Sequence, residues 1–168
     1  MNDSESQRPA RPARLTVASR LGRRIDGAWW PRSASIGNEL PELIKALHGR
    51  LGEIVGVTVN WSKFQGSPDL NSLNWQHERQ RLMMITGRDA QANLLVIPYL
   101  TNTALAIMVL RQAAALPIDP AHCETKAFQT AECIVRAARA ENAVQTKSAM
   151  RAASTTSATD PPARGESH

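Results

Sequence analysis

Three of the chain's four tryptophans lie between residues 25 and 61, and this concentration constrains the fold more than any other feature. Burying one indole removes about 150 to 250 Å² from water, which stabilises a fold by roughly 4 to 6 kcal/mol as an upper bound. The residues from Ile25 to Trp30 favour a β-strand, and Pro31 ends it. We therefore expect the core to form around this stretch.

The residues before Ile25 predict a β-hairpin. Leu15 to Ser19 alternates apolar and small or polar side chains, and the strand from Ile25 to Trp30 follows after a short turn. A turn at Asp26 and Gly27 is the rival, but it would cut the second strand to about three residues. We therefore predict a bulge or a close backbone approach at Gly27.

The safest helix prediction runs from Asn38, which can cap it, to Leu51, and Gly52 ends it. Its apolar positions share one helical face: Leu40, Leu43, Ile44, Leu47 and Leu51. A strand from Ile54 to Trp61 follows, with Val55, Val57, Val59 and Trp61 on the face that we expect to meet the helix.

The second half of the chain also divides into elements. The predicted order is a loop at 62–72, a weak strand at 73–77, strands at 81–86 and 93–97, and helices at 101–115 and 120–141. The strand at 93–97 is apolar on both sides, which indicates a central position in the sheet. Thr101 or Thr103 is expected to cap the first helix, and Asp119 the second.

Short turns between successive strands predict an α+β fold: a mostly antiparallel sheet of five or six strands with helices packed on one face. Length and composition favour a single domain over 14–141, with a disordered basic arm at 1–13 and a disordered tail at 142–168. The chain shows neither a secretion signal nor an apolar run long enough to span a membrane. We therefore expect a cytoplasmic protein without membrane contact.

Three motifs resemble a family of uncharacterised actinobacterial proteins. They are the run from Asp26 to Ser33, the run from Glu39 to Leu43, and the run from Leu94 to Pro98. The resemblance covers roughly residues 14–116 and implies a domain of unknown function, with no activity or site residues to carry over. Tyr99 departs from the second proline that such proteins often have here, and the helix after Pro120 lies outside the resemblance as an addition.

The formal net charge of +5 comes mostly from the beginning of the chain. Residues 1–24 carry +4, whereas residues 25–141 carry eleven basic and eleven acidic side chains. Six arginines supply this charge: Arg8, Arg11, Arg14, Arg20, Arg23 and Arg24. They are candidates for weak, nonspecific contact with nucleic-acid phosphates, which salt would suppress. A solubilising tail is the alternative.

The main candidate binding site gathers polar groups around the indoles at the end of the strand: Asp26, Trp29, Trp30, Arg32 and Ser33. An ion pair of Asp26 with Arg32 that only locks the strand end is the structural alternative. Because neighbouring strand residues point to opposite faces, Trp29 and Trp30 cannot enter one core. We expect one indole to lie under a loop, to be covered by a partner chain or to be exposed, and we favour a contact with a partner protein or a second copy.

The sequence contains no recognisable catalytic motif. His122, Cys123 and Cys133 are too scattered for a structural zinc site, and the glycines form no nucleotide-binding loop. We therefore expect no metal and no cofactor. The function predicted is a noncatalytic binding or regulatory module that acts through protein contacts. The alternatives are nucleic-acid association through the arginines and an enzyme of unrecognised class.

Overall fold

The computed structural model describes residues 14–60 and 80–156. Its strands are β1 (Leu15–Val17), β2 (Gly27–Trp29), β3 (Ile54–Val59), β4 (Leu82–Gly87) and β5 (Gln91–Val96). Its α-helices are α1 (Ile36–Leu51), α2 (Thr103–Ala113) and α3 (Lys126–Thr156), and a single 3-10 turn spans Pro120–His122. The strand predicted at 73–77 lies outside the described residues.

The strands form one five-stranded sheet in the order β1-β2-β5-β4-β3. Three of its four pairings are antiparallel, as predicted, and β5 occupies the predicted central position. The pairing of β2 with β5 is parallel. It arises because α1 and the β3–β4 pair intervene in the chain between β2 and β5, so the sheet is mixed and the fold is α+β.

The close backbone approach predicted at Gly27 is present. Gly27 pairs with Val17 on one side and with Leu94 on the other. A Cβ atom at residue 27 would collide with the carbonyl oxygen of Thr16. Glycine is therefore the residue that lets β1 and β2 meet at this point.

The sheet carries a hydrophobic core on each face. The α1 core consists of Trp29, Leu43, Leu47, Leu51, Met83, Ile85, Ala92, Leu94 and Val96. The α2/α3 core includes Ala28, Trp30, Leu82, Leu95, Ile97 and buried residues of both helices. Neighbours such as Leu94 and Leu95 belong to different cores because successive strand residues point to opposite faces. The prediction that the helices pack on one face is therefore wrong.

Both tryptophans of the pair are buried by the chain itself. Trp29 is 2% exposed in the α1 core and Trp30 is 8% exposed in the α2/α3 core. The prediction that they point to opposite faces is correct. The expectation that one of them contacts a partner is wrong, because α2 and α3 cover the second face.

Helix α1 begins at Ile36, slightly before the predicted Asn38, and its cap position is Ser35, whose side chain makes no capping hydrogen bond. Gly52 ends the helix as predicted, with φ of 74°. Such a positive φ suits glycine because no Cβ clashes there. The cap of α2 is Asn102, whose side chain accepts a hydrogen bond from the amide of Ala104, and neither predicted threonine serves.

Helix α3 differs from its prediction at both ends. Asp119 caps only the short 3-10 turn, and α3 itself begins at Lys126. It continues to Thr156, so residues 142–156 are helical where a disordered tail was predicted. Ala131, Val135 and Ala138 of this helix are buried in the α2/α3 core. Beyond Thr146 the described side chains are exposed, which is why no apolar periodicity marked this part of the helix.

Candidate functional site

Asp26 is a buried structural anchor. It is 0% exposed, and a buried carboxylate is costly unless hydrogen bonds compensate it. Its Oδ1 accepts a hydrogen bond from the amide of Arg23 at 2.9 Å, and its Oδ2 accepts one from the amide of Asn93 at 2.9 Å. The carboxylate therefore fastens the loop between β1 and β2 to the central strand β5, and it does not pair with Arg32.

Trp30 is held by Arg14 at the other end of β2. The guanidinium carbon lies 3.7 Å from the centre of the indole ring, a cation–π contact. Arg14 Nε donates to the carbonyl oxygen of Trp30 at 3.1 Å, and a terminal nitrogen donates to that of Pro31 at 2.7 Å. Burial and, secondly, the charge of Arg32 lower the pKa of Arg14, and Glu39 opposes this shift. The indole Nε1 donates to the carbonyl oxygen of Tyr99 at 3.3 Å.

Glu39 closes the turn that follows Trp30. Its carboxylate accepts from the amide of Arg32 at 2.7 and 3.0 Å, and its Oε1 accepts from the amide of Ser33 at 2.7 Å. The Ser33 hydroxyl also donates to this oxygen, at 2.8 Å. A carboxylate in the first turn of a helix is favoured by the helix dipole. The turn at 32–33 is thus already occupied by an anion from the chain itself.

The structure brings together only part of the predicted site. Trp30, Arg32 and Ser33 form one cluster, while Asp26 lies at the opposite end of β2 and Trp29 on the opposite face. Sequence reasoning missed Glu39 as a member of this cluster. Its place at the start of a predicted helix, shortly after a proline and a serine, was the available signal. The contacts of the cluster are internal, so they explain stability better than ligand binding.

The six candidate arginines do not form one site in the structure. Arg8 and Arg11 lie outside the described residues. The side chain of Arg14 donates hydrogen bonds to the carbonyl oxygens of Trp30 and Pro31. The other three are exposed on the β1–β2 loop: Arg20, Arg23 and Arg24. Nucleic-acid association through these side chains stays a prediction.

A groove runs beside this loop, and we call it the arginine groove. It has a volume of about 580 Å³ and lies between the β1–β2 loop, the β4–β5 turn and α3. Its hydrogen-bonding side chains are Arg23, Arg24, Gln91, Asn93, Asn142 and Thr146. The described residues that line it include no carboxylate. These residues come from three distant parts of the chain, which is why the sequence did not reveal the groove.

The outer edge of β3 is a second surface of interest. Among the strands that the structure describes it is terminal in the sheet, and three of its valines are exposed: Val55 at 61%, Val57 at 38% and Val59 at 38%. The register pairs Val57 with Ile85 and Val59 with Met83, so both valines lie on the α1 face. The predicted orientation toward the helix is correct for Val57 and Val59, although α1 leaves them partly uncovered. At the beginning of the strand, Ile54 and not Val55 packs against the α1 core. Trp61 lies outside the described residues.

Within the described residues no group of three or more His, Cys, Asp or Glu side chains is placed to hold a metal ion. Cys123 and Cys133 are exposed and unpaired. None of the helices in residues 14–60 and 80–156 combines the length and the apolar character needed to span a bilayer.

Residues 14–113 match a family of unknown function, DUF5994. The chain belongs to this family. The match confirms the expected family of unknown function, and it extends from β1 through α2, so that α3 lies outside it. No curated protein and no solved structure matches the chain. The family region therefore contains the Trp30 cluster and β3, whereas one wall of the arginine groove comes from α3.

Proposed function

We propose that this protein is a noncatalytic binding module that associates with a second copy of itself through the outer edge of β3. The observation that carries the proposal is a strand that is terminal among the described strands and has three exposed valines. Edge strands in soluble proteins usually carry lysine, proline or another device that prevents pairing. The run from Ile54 to Val59 contains neither a charged residue nor a proline, and its bulge lies at the beginning of the strand.

The backbone of β3 is oriented for such a contact. The amide of Asn60 donates to the carbonyl oxygen of Leu82 in β4. Because hydrogen-bonding direction alternates along an antiparallel strand, the amides of Val57 and Val59 point away from β4. Two copies related by a two-fold axis at Thr58 would place Val57 of each copy opposite Val59 of the other. Both residues would then form a hydrogen-bonded pair.

A second copy fits this edge because the contact is self-complementary. An uncharged strand brings no like charges together when it meets its own copy, and valines facing valines form a favourable β-branched pair. A bulge between Ile54 and Gly56 disturbs only the beginning of the strand, so the regular part from Gly56 to Asn60 carries the pairing. We also propose a cytoplasmic location, which the two unpaired cysteines support.

Sedimentation equilibrium of the full chain tests the proposal. The fraction of dimer in the wild type is expected to rise with protein concentration. Val57→Lys is expected to remain monomeric, since it places a charge in the paired part of the strand. Val144→Lys on α3 is the matched control, because Val144 is 64% exposed and far along the chain from β3. A wild type that stays monomeric at every concentration, or equal loss of association in both variants, refutes the proposal.

Hydrogen exchange at the amide of Val59 provides a second measurement. The amide is expected to exchange slowly in the dimer and rapidly in monomeric Val57→Lys. Slow exchange in both states would mean that another part of the same chain covers this edge, which would also contradict self-association through β3.

A further inference from the structure

We propose that the arginine groove binds a small phosphorylated molecule with a hydroxylated body, such as a sugar phosphate. This site is independent of the β3 edge and of the Trp30 cluster. It combines two exposed cationic side chains, Arg23 and Arg24, with neutral hydrogen-bonding groups in a cavity of about 580 Å³. Small-molecule sites commonly have volumes of about 300 to 1,000 Å³.

No described carboxylate pairs with the guanidinium groups of the two arginines in the groove. Among the described residues no side-chain or backbone oxygen accepts a hydrogen bond from the guanidinium group of Arg23 or Arg24, and neither residue is in a salt bridge. Guanidinium groups bind phosphate through paired, charge-assisted hydrogen bonds. An anionic ligand would therefore supply the counter-charge that the groove lacks.

The backbone that presents the two arginines is fixed in place. Asp26 accepts from the amide of Arg23, and Asn93 Nδ2 donates to the carbonyl oxygen of Arg23 at 3.2 Å. Asn142 Nδ2 on α3 donates to the carbonyl oxygen of Arg24. Contacts from β5 and α3 thus hold the loop before any ligand arrives, and this lowers the entropic cost of binding.

The neutral groups indicate what the rest of the ligand contains. The side-chain amides of Asn93 and Asn142 donate to the loop, and that of Gln91 donates to Met84 Sδ. Among the described residues, the side-chain oxygens of these three amides accept no hydrogen bond. Acceptors of this kind pair with hydroxyl groups. The groove is also much larger than a phosphate ion, so a hydroxylated body fits the remaining space.

A second cavity, between the end of α2 and α3, offers a contrast. It has a volume of about 390 Å³ and also contains arginines, Arg136 and Arg139. There Arg136 pairs with Glu132 at 3.1 Å, so part of its charge is already compensated within the helix. The described lining of the arginine groove holds no such internal partner, and for that reason we assign the anion to it.

Isothermal titration calorimetry, with glucose 6-phosphate added to the full chain, tests the proposal. We expect saturable binding that glucose does not reproduce, and a loss of at least tenfold in affinity in Arg23→Ala and Arg24→Ala. Arg20→Ala is the matched control, since Arg20 is exposed on the same loop but does not line the groove. Gluconate carries hydroxyl groups and a carboxylate but no phosphate, so it tests whether any anion suffices. Gluconate binding as tight as that of glucose 6-phosphate would refute the phosphate assignment.

Three further outcomes overturn the proposal. One is the absence of saturable binding with glucose 6-phosphate at millimolar concentration. Another is an equal loss of affinity in Arg20→Ala and Arg24→Ala, which would indicate a diffuse charge effect. The last is binding of single-stranded DNA that exceeds glucose 6-phosphate binding and that all three variants weaken alike, which would favour the nucleic-acid alternative. Because the side chains replaced are exposed, the variants are expected to keep the wild-type melting temperature.

Discussion

The two faces of the sheet are covered by different means. On one face a single helix, α1, buries Leu43, Leu47 and Leu51 completely. On the other face two helices pack against each other as well as against the sheet, and their buried positions include many alanines: Ala106, Ala113, Ala131 and Ala138. Small side chains let helix backbones approach closely, whereas large ones fill the space beneath a lone helix. One sheet can thus be covered by large residues on one side and by close helix packing on the other.

The neighbouring tryptophans show the same contrast. Trp29 lies among the large aliphatic side chains of the α1 core. Trp30, near the edge of the α2/α3 core, also has polar contacts, through its indole nitrogen to Tyr99 and through its ring to Arg14. An indole near the surface needs a partner for its polar end, while a deeply packed indole contributes mainly by filling volume.

Replacement of the tryptophans should have the largest effect. Trp29→Ala is expected to lower the free energy of unfolding by about 3 to 5 kcal/mol, because it leaves a cavity in the α1 core. Trp30→Ala should also destabilise the protein substantially, since both indoles are buried. Urea unfolding measures both, with Leu100→Ala, at a side chain 51% exposed, as the control. If Trp30→Ala unfolds at the same urea concentration as the wild type, Trp30 does not contribute to a packed core on the α2/α3 side of the sheet.

Enlarging a small residue should test the close packing of the α2/α3 core next. Ala138→Leu is expected to lower the free energy of unfolding by about 1 to 3 kcal/mol. Ala138 of α3 is 0% exposed in the α2/α3 core, so extra methyl groups cannot be accommodated there. Ala140→Leu, at an exposed position of the same helix, should leave the free energy of unfolding nearly unchanged. Thermal unfolding of both variants compares them. Equal stability would mean that α3 packs loosely.

The smallest effect concerns the cation over Trp30. Arg14→Lys keeps a positive charge but loses the planar group that stacks on the ring and donates to two carbonyl oxygens, so we expect a cost of about 1 kcal/mol. Tryptophan fluorescence should shift to longer wavelength as Trp30 becomes more hydrated. Arg20→Lys on the exposed loop provides the reference. If Arg14→Lys alters neither stability nor emission, the stacking contact is dispensable.

The candidate site could be predicted only in part. Strand alternation correctly separated Trp29 from Trp30, and the charge distribution included Arg23 and Arg24 among six candidate arginines. The groove formed by these arginines could not be foreseen, since Gln91 and Asn142 reach it from elsewhere in the chain. Asp26 was chosen as a ligand-binding residue, but its carboxylate is satisfied by backbone amides. Hydrogen bonds to the backbone of a distant strand leave no pattern in side-chain sequence.

The sequence by itself determined the local elements of this protein. Helix α1, the two antiparallel hairpins, the central position of β5 and the need for glycine at residue 27 all follow from periodicity and residue type, which act over a few neighbouring residues. Tertiary structure alone decided which face each helix covers, the parallel pairing of β2 with β5, and the partial exposure of Val57 and Val59. These features depend on which distant elements compete to bury the same apolar surface, and the free energy of that competition belongs to the whole fold.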